Sequence, residues 1–258
     1  MQVLGIRTGP AVDADRATEA VAAVLAERGP VGVVRDGEVN ASRTTITLGA
    51  EGWTASGPDP ALPDALDRLA PEHDYGLVVD LPVERFPTLA IGDVSGESPT
   101  ISAPSVEALE ADQVVEAVEA GAPHETLESL IAAVKRSPRA EYAGAIATFT
   151  GRVRAKEDED DAFTEALTFE HYEELAAERL AALEDELESR EGVEAVELHH
   201  RTGRIEYGED IVFVVVLAGH REEAFRTVED GIDRLKAEVP IFKKEVTVEE
   251  EFWVHERS

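Results

Sequence analysis

The chain has 258 residues, 55 acidic against 24 basic side chains, a formal net charge of −31 and no cysteine. Such a surface repels phosphate backbones, which argues against nucleic acid as a partner. The lack of thiols excludes disulfides, thiolate metal sites and any persulfide carried on this protein. With 43% hydrophobic residues the chain has enough apolar material for a real core. Residues 1–122 carry 21 acids against 7 bases and residues 123–258 carry 34 against 17, so the acidity belongs to the whole chain and reads as adaptation to high salt. The N-terminus has no basic region followed by a long apolar run, and Ile211 to Gly219 is too short to span a bilayer, so a cytoplasmic protein is expected.

In chain order, Gln2 to Ile6 is a short apolar strand, followed by a helix over 13–28 with Ala17, Val21, Val24 and Leu25 on one face. Gly29-Pro30 stops that helix, and strands are expected at 31–35 and 44–48, a short helix at 63–69, and strands at 75–81 and 88–91. A helix over 105–120, with Ser105 as N-cap, ends at Gly121-Ala-Pro123, the natural boundary between two domains. The second half starts with a helix over 125–135 and a strand over 144–149. An acidic loop, 157–161, and a strand over 165–170 follow. A long helix over 172–190 leads to strands at 195–200 and 211–217. The helix 221–237 and strands at 241–248 and 251–254 complete the chain. The pattern predicts an α/β N-terminal domain (1–121) with a mainly parallel sheet, then an α+β sandwich domain (122–258).

The first half opens as a strand, Gly5 and a helix, where a phosphate loop would sit. Residues 1–134 contain no lysine to reach the β/γ-phosphates, and Asp13 and Asp15 repel phosphate at the helix start. The opening strand, Ala26-Glu-Arg-Gly-Pro-Val-Gly-Val-Val34 and Tyr75-Gly-Leu-Val-Val-Asp80 nevertheless resemble the MobB-type GTP-binding adaptors. The missing lysine then implies a degenerate domain that docks or stabilises rather than binds GTP.

The chemistry concentrates in the second half. Only five lysines occur, and Lys236, Lys243 and Lys244 fall within nine residues, shortly after His220-Arg221. On a helical wheel Ala224, Phe225, Val228, Ile232 and Leu235 form one buried stripe, with Arg221 in line with it and Lys236 at its edge. A charge there needs an acidic partner, a cavity or a ligand, and the wheel leaves these open. Alternation places Phe242, Lys244, Val246 and Val248 on one strand face and Ile241, Lys243, Glu245 and Thr247 on the other, without saying which lysine meets a ligand. His171, His199 and His200 lack metalloenzyme spacing and are expected to be structural, and no cofactor is expected.

Several segments occur in a specific order: Gly144-Ala-Ile-Ala-Thr-Phe-Thr-Gly-Arg-Val-Arg154, Leu167-Thr-Phe-Glu-His-Tyr172 and His200-Arg-Thr-Gly-Arg-Ile205. Then come His220-Arg221 with Glu223-Ala-Phe225, Asp233-Arg-Leu-Lys236, Pro240-Ile-Phe-Lys-Lys-Glu245 and Trp253-Val254. In this order they resemble the large, catalytic subunit of molybdopterin synthase, the MoaE family, over essentially all of 124–258. The resemblance implies a sulfurtransferase that takes sulfur from the C-terminal thiocarboxylate of a small ubiquitin-like (MoaD-like) partner. The acceptor is cyclic pyranopterin monophosphate, and the product is the dithiolene of molybdopterin. It implies Lys236 as the principal catalytic lysine and Lys243 as the second, with Arg154, His220, Arg221 and Arg257 holding phosphate and pterin. Phe242 stands where the family more often has Trp, and the acidic loop after Arg154 where a basic or neutral one is commoner.

Arg221 and Lys236 lie fifteen residues apart on one helix, roughly 22 Å, too far for one small ligand to touch both. If both serve one site, that site combines two copies of the chain, in a homodimer that becomes a heterotetramer with its small partner. The competing reading is a non-catalytic adaptor that binds a ubiquitin-like protein, against which the lysine cluster speaks.

Overall fold

The computed structural model describes residues 1–37, 44–50, 52–57, 61–83, 85–96, 98–156, 158–171, 173–247 and 251–254. The chain divides into two compact units, Met1–Ser129 and Leu130–Ser258. Residues 122–129, beyond the Gly121 boundary read from sequence, therefore group with the first unit.

The first unit contains β1 (Gln2–Thr8), α1 (Ala14–Ala26), β2 (Val31–Arg35), β3 (Thr45–Gly49), β4 (Gly52–Ser56), α2 (Leu62–Leu69), β5 (Tyr75–Val79), β6 (Thr88–Ile91), β7 (Ile101–Ala103) and α3 (Ala111–Glu119). Strands β2-β5-β1-β6-β7 form one sheet in which every pairing is parallel. Strands with helices on both faces need apolar side chains on both, hence the unbroken burial of Tyr75 to Val79. Leu4, Ile6 and Leu77 pack with Val21 and Leu25 of α1 and Val114 and Val118 of α3. Val3 and Val78 pack on the opposite side with Leu66 of α2. Strands β3 and β4 form a separate hairpin.

The segment at the phosphate-loop position is closed by its own side chains. The Asp13 carboxylate caps α1, accepting from the backbone N–H of Asp15 at 3.0 Å and of Arg16 at 3.2 Å. These donors would otherwise face an anion. Thr8 donates through its N–H (2.9 Å) and its hydroxyl (3.0 Å) to Asp80, and a Cβ on Gly9 would stand 2.7 Å from the Asp93 nitrogen.

Helix α4 (Leu127–Lys135) contains the division between the units, and the second unit continues with β8 (Ala145–Arg152), β9 (Thr164–His171), α5 (Glu173–Glu188), β10 (Val193–His200), β11 (Gly203–Glu206) and β12 (Asp210–Ala218). It ends with α6 (Arg221–Glu238), β13 (Ile241–Thr247) and β14 (Glu251–Val254). One antiparallel sheet has the order β10-β12-β8 and a second the order β11-β9-β13-β14. All of Ile211 to Ala218 is buried, as befits the central strand of three. Helix α6 packs over β8 and β12 beside α5, which packs over β10. Gly231 lets α6 lie close, since a Cβ there would stand 3.1 Å from Val214 Cγ1.

Three short strands, β4, β7 and β11, are absent from the sequence reading, and the expected helix over 105–120 is broken into a 3₁₀ turn at Val106–Ala108 and α3. One core assignment is corrected. Phe225 is 65% exposed, whereas the buried stripe of α6 runs through Ala224, Thr227, Val228, Gly231, Ile232 and Leu235. The stripe is centred nearer α5 than the wheel suggested, because α5 packs against that side of the helix.

Two carboxylates of α5 close the outer edge of β10. Glu188 accepts from the Val196 N–H at 2.8 Å and Glu184 from the Leu198 N–H at 2.7 Å. Burial raises the Glu184 carboxyl to about 7, opposed by the Leu198 N–H and reinforced by Glu197, Glu188 and Asp185. Between the ordinary 4.5 and about 7 the folded chain holds a proton that the unfolded chain has released, so stability falls as pH rises through this window. Glu184→Gln keeps the acceptor without the charge. It should stabilise the protein by ~2 kcal/mol at pH 8 and leave it unchanged near pH 4. Thermal melts at the two pH values check this, and an unaltered melt at pH 8 would contradict it.

Candidate active site

Helix α6 carries four of the cations that matter, in two groups. Arg226 pairs with Glu222 at 3.8 Å, and Arg234 pairs with Glu238 at 2.7 Å and also with Glu186. Across from them, Arg179 of α5 pairs with Glu186 at 3.1 Å and with Glu238, and Arg190, two residues beyond α5, pairs with Asp230. The α5-facing side of the helix is thus a ladder of neutralised charges. Arg221 and Lys236 are exposed and form no ion pair among the described residues. Among the described residues, acidic pairing is therefore not what those two cations serve.

His220 is the exposed N-cap residue of α6, in extended conformation, and its side chain makes no capping bond. It and Arg221 therefore stand free at the helix start, where backbone N–H groups favour an anion. Lys236 stands in the last turn of α6, five residues before β13 begins. The turn between helix and strand is tight, with Val239 N–H bonded to Leu235 O at 3.1 Å and Ile241 N–H to Val239 O at 2.9 Å.

Strand register shows which of the two lysines shares a face with core residues. Lys243 stands opposite Phe169 of β9, and Lys244 opposite Thr168. Phe169 in turn pairs with Gly203 of β11, and Leu167 with Ile205. Phe169, Leu167 and Ile205 belong to the core cluster, so the half-buried Lys243 emerges on the core-lined face. An ammonium held beside apolar side chains with no acidic partner among the described residues is readied for an anionic ligand. Arg154 is exposed, two residues beyond β8. Its neighbour Val153 is fixed by bonds of its N–H to Glu209 O and of its C=O to Gly208 N–H, both 2.9 Å. Arg257, Val248 and Tyr172 lie outside the described residues.

His199 and His200 are half-buried against rings. His200 meets Phe169 edge-on at 4.8 Å, and its Nδ1 lies 2.7 Å from Arg201 O. His199 lies near the Phe213 ring. The structure also brings out Phe225, missed as a surface group by the sequence reading. It lies between Arg221 and Lys236 on one flank of α6, away from the flank where Arg234 pairs with Glu186 of α5.

Comparison with known proteins identifies the family. The family model for the MoaE protein matches residues 122–238. A probable molybdopterin synthase from Haloferax volcanii is 53% identical over 205 residues, covering 80% of this chain and 78% of that protein. That match is longer than residues 122–258, so it extends into the first unit. The molybdopterin synthase catalytic subunit of Yersinia pestis is 40% identical over 115 residues, 45% of this chain and 75% of its own. Among solved structures, the molybdopterin synthase of Staphylococcus aureus is 31% identical, with a TM-score of 0.45, covering 52% of this chain and 93% of that one. The chain belongs to the MoaE family of molybdopterin synthase proteins.

Proposed function

We propose that the chain is the catalytic subunit of a molybdopterin synthase, working in molybdenum-cofactor biosynthesis as a two-domain protein in the cytoplasm. It moves sulfur from the C-terminal thiocarboxylate of a small ubiquitin-like partner to cyclic pyranopterin monophosphate, forming the dithiolene. The observation that carries this reading is the set of cations without acidic partners among the described residues, Arg221, Lys236 and Lys243, in a protein whose other α5 and α6 cations are neutralised.

Acyl transfer and sulfur addition to a phosphorylated substrate accumulate negative charge, which fixed cations stabilise without reorganising. Lys236 is the principal catalytic lysine, acting as acid/base or transient nucleophile, and Lys243 is the second. Arg154, His220, Arg221 and Arg257 hold the phosphate and the pterin. The chain has no cysteine, so sulfur arrives on the partner. Each pocket takes Lys236 and Lys243 from one subunit and His220 and Arg221 from the other, because roughly 22 Å of helix separates Arg221 from Lys236 within one chain. The assembly is a homodimer that accepts two small partners. The first unit docks or stabilises the synthase without binding nucleotide, in keeping with the Asp13-capped helix and the lysine-free loop.

Reconstitution in high salt tests this reading. The full chain, a thiocarboxylated ubiquitin-like partner and pyranopterin monophosphate should yield dithiolene in amounts stoichiometric with half the thiocarboxylate consumed. Consumption of neither substrate by the folded protein would contradict it.

A further inference from the structure

One row of residues crosses the sheet β11-β9-β13-β14 and ends on Lys243. Gly203 of β11 stands opposite Phe169 of β9, and Phe169 stands opposite Lys243 of β13. Residues directly opposite in an antiparallel pair share a face, with their Cβ atoms about 5 Å apart. The Phe169 ring and the Lys243 stem are therefore neighbours on the face that carries the core. Phe169 is 7% exposed and belongs to the core cluster, whereas Lys243 is half-buried. In such a pair the apolar stem is covered while the charged end reaches outward. Lys244 stands opposite Thr168 instead, on the other face.

The ring is held by a residue of the other sheet. His200, the last residue of β10, meets Phe169 edge-on, with centroids 4.8 Å apart and planes at 74°. The imidazole is itself fixed. Its Nδ1 lies 2.7 Å from the Arg201 carbonyl oxygen, which can only accept, so Nδ1 carries the hydrogen of that bond. Across the strand pair, Gly203 offers the ring no side chain. Its φ of +79° selects glycine, and a Cβ there would find nothing within 4 Å. His200 is thus a lateral contact that keeps the ring from swinging into the space beside Gly203, away from Lys243.

We infer that Phe169 is a positioning residue for Lys243, and that His200 acts through Phe169 by fixing its ring. This rests on Lys243 as the second lysine of the proposed sulfur transfer and adds how its ammonium is held in place. A lysine stem is flexible, and an unsupported one spreads its ammonium over many positions. Reacting groups must be held close and aligned, and a displacement of about 1 Å can cost on the order of 10²-fold in rate. Strand register fixes where the Lys243 stem begins, and the ring limits where it can go.

Dithiolene formation by the full chain in high salt, with a thiocarboxylated ubiquitin-like partner and pyranopterin monophosphate, supplies the test. Phe169→Val keeps a good strand former in β9 but withdraws the atoms that reach Lys243. Its kcat should fall about tenfold while KM for the pyranopterin stays within about twofold of wild type, because a misplaced lysine weakens the transition state and not ground-state binding. Phe169→Leu restores the reach and should bring kcat back to within about threefold of wild type. The deciding readout is a double variant. Lys243→Ala has no ammonium to position, so adding Phe169→Val to it should slow it by less than about twofold more. If Phe169→Val loses its native circular dichroism spectrum, His200→Ala takes its place. It leaves Phe169 present but unbraced, and should cost about threefold in kcat with Lys243 intact and nothing further in Lys243→Ala. A folded Phe169→Val or its substitute with unchanged kcat, or with the same loss whether or not Lys243 is present, would overturn the positioning role and leave Lys243 in the mechanism. Wild-type turnover by Lys243→Ala would overturn the proposed role of Lys243 and this inference with it.

Discussion

Lys236→Ala is expected to lower dithiolene formation by on the order of 10²–10³-fold while leaving the fold intact. The expectation joins two facts about one side chain. Lys236 is exposed in the last turn of α6, so no packing is lost on its removal, and surface substitutions of this kind change stability by about 0.5 kcal/mol or less. It also pairs with no acid among the described residues, so its removal leaves no uncompensated carboxylate. What disappears, on the proposed mechanism, is a cation aimed at charge that develops during sulfur transfer. Lys243→Ala should show a smaller loss with some cost in stability, because its half-buried stem lies on the core-lined face opposite Phe169. Rates measured beside melting temperatures separate the two effects. Turnover of Lys236→Ala within about twofold of wild type would remove the residue from the mechanism.

The long elements were legible because their periodicity is unbroken. Strand β12 is a run of apolar residues from Ile211 to Ala218, and α6 keeps its helical repeat for 18 residues. Strands β4, β7 and β11 are only three to five residues long, too short for alternation to stand out from a loop. For the site, composition singled out the lysine cluster, but its geometry was out of reach. Alternation separates Lys243 from Lys244 but cannot say which face is lined by core. That depends on the register with β9, which brings Phe169 opposite Lys243. Phe225 was misplaced for a similar reason. A wheel gives the width of an apolar stripe but not which neighbouring element it packs against. Here α5 draws the buried stripe toward Thr227 and Gly231 and leaves Phe225 outside. The closure of the outer edge of β10 is likewise invisible in sequence, since it depends on Glu184 and Glu188 reaching across from α5.

Arg221→Ala is expected to be as inactive as Lys236→Ala, since a phosphate without its charge-assisted bonds at the helix start is neither held nor oriented. The two defects should nonetheless repair each other. In the two-copy site proposed above each pocket draws Lys236 from one subunit and Arg221 from the other, so each single variant should have a fault in every pocket. In an equal mixture with free exchange, half the dimers are mixed, and each mixed dimer has one intact pocket of two. Activity should therefore return to about one quarter of the wild-type value. Tagging the two variants differently and counting mixed dimers establishes the exchange. A recovered rate that rises in proportion to the mixed-dimer fraction is the predicted result. Verified mixed dimers with no more activity than either variant alone would contradict a site shared between two copies of the chain.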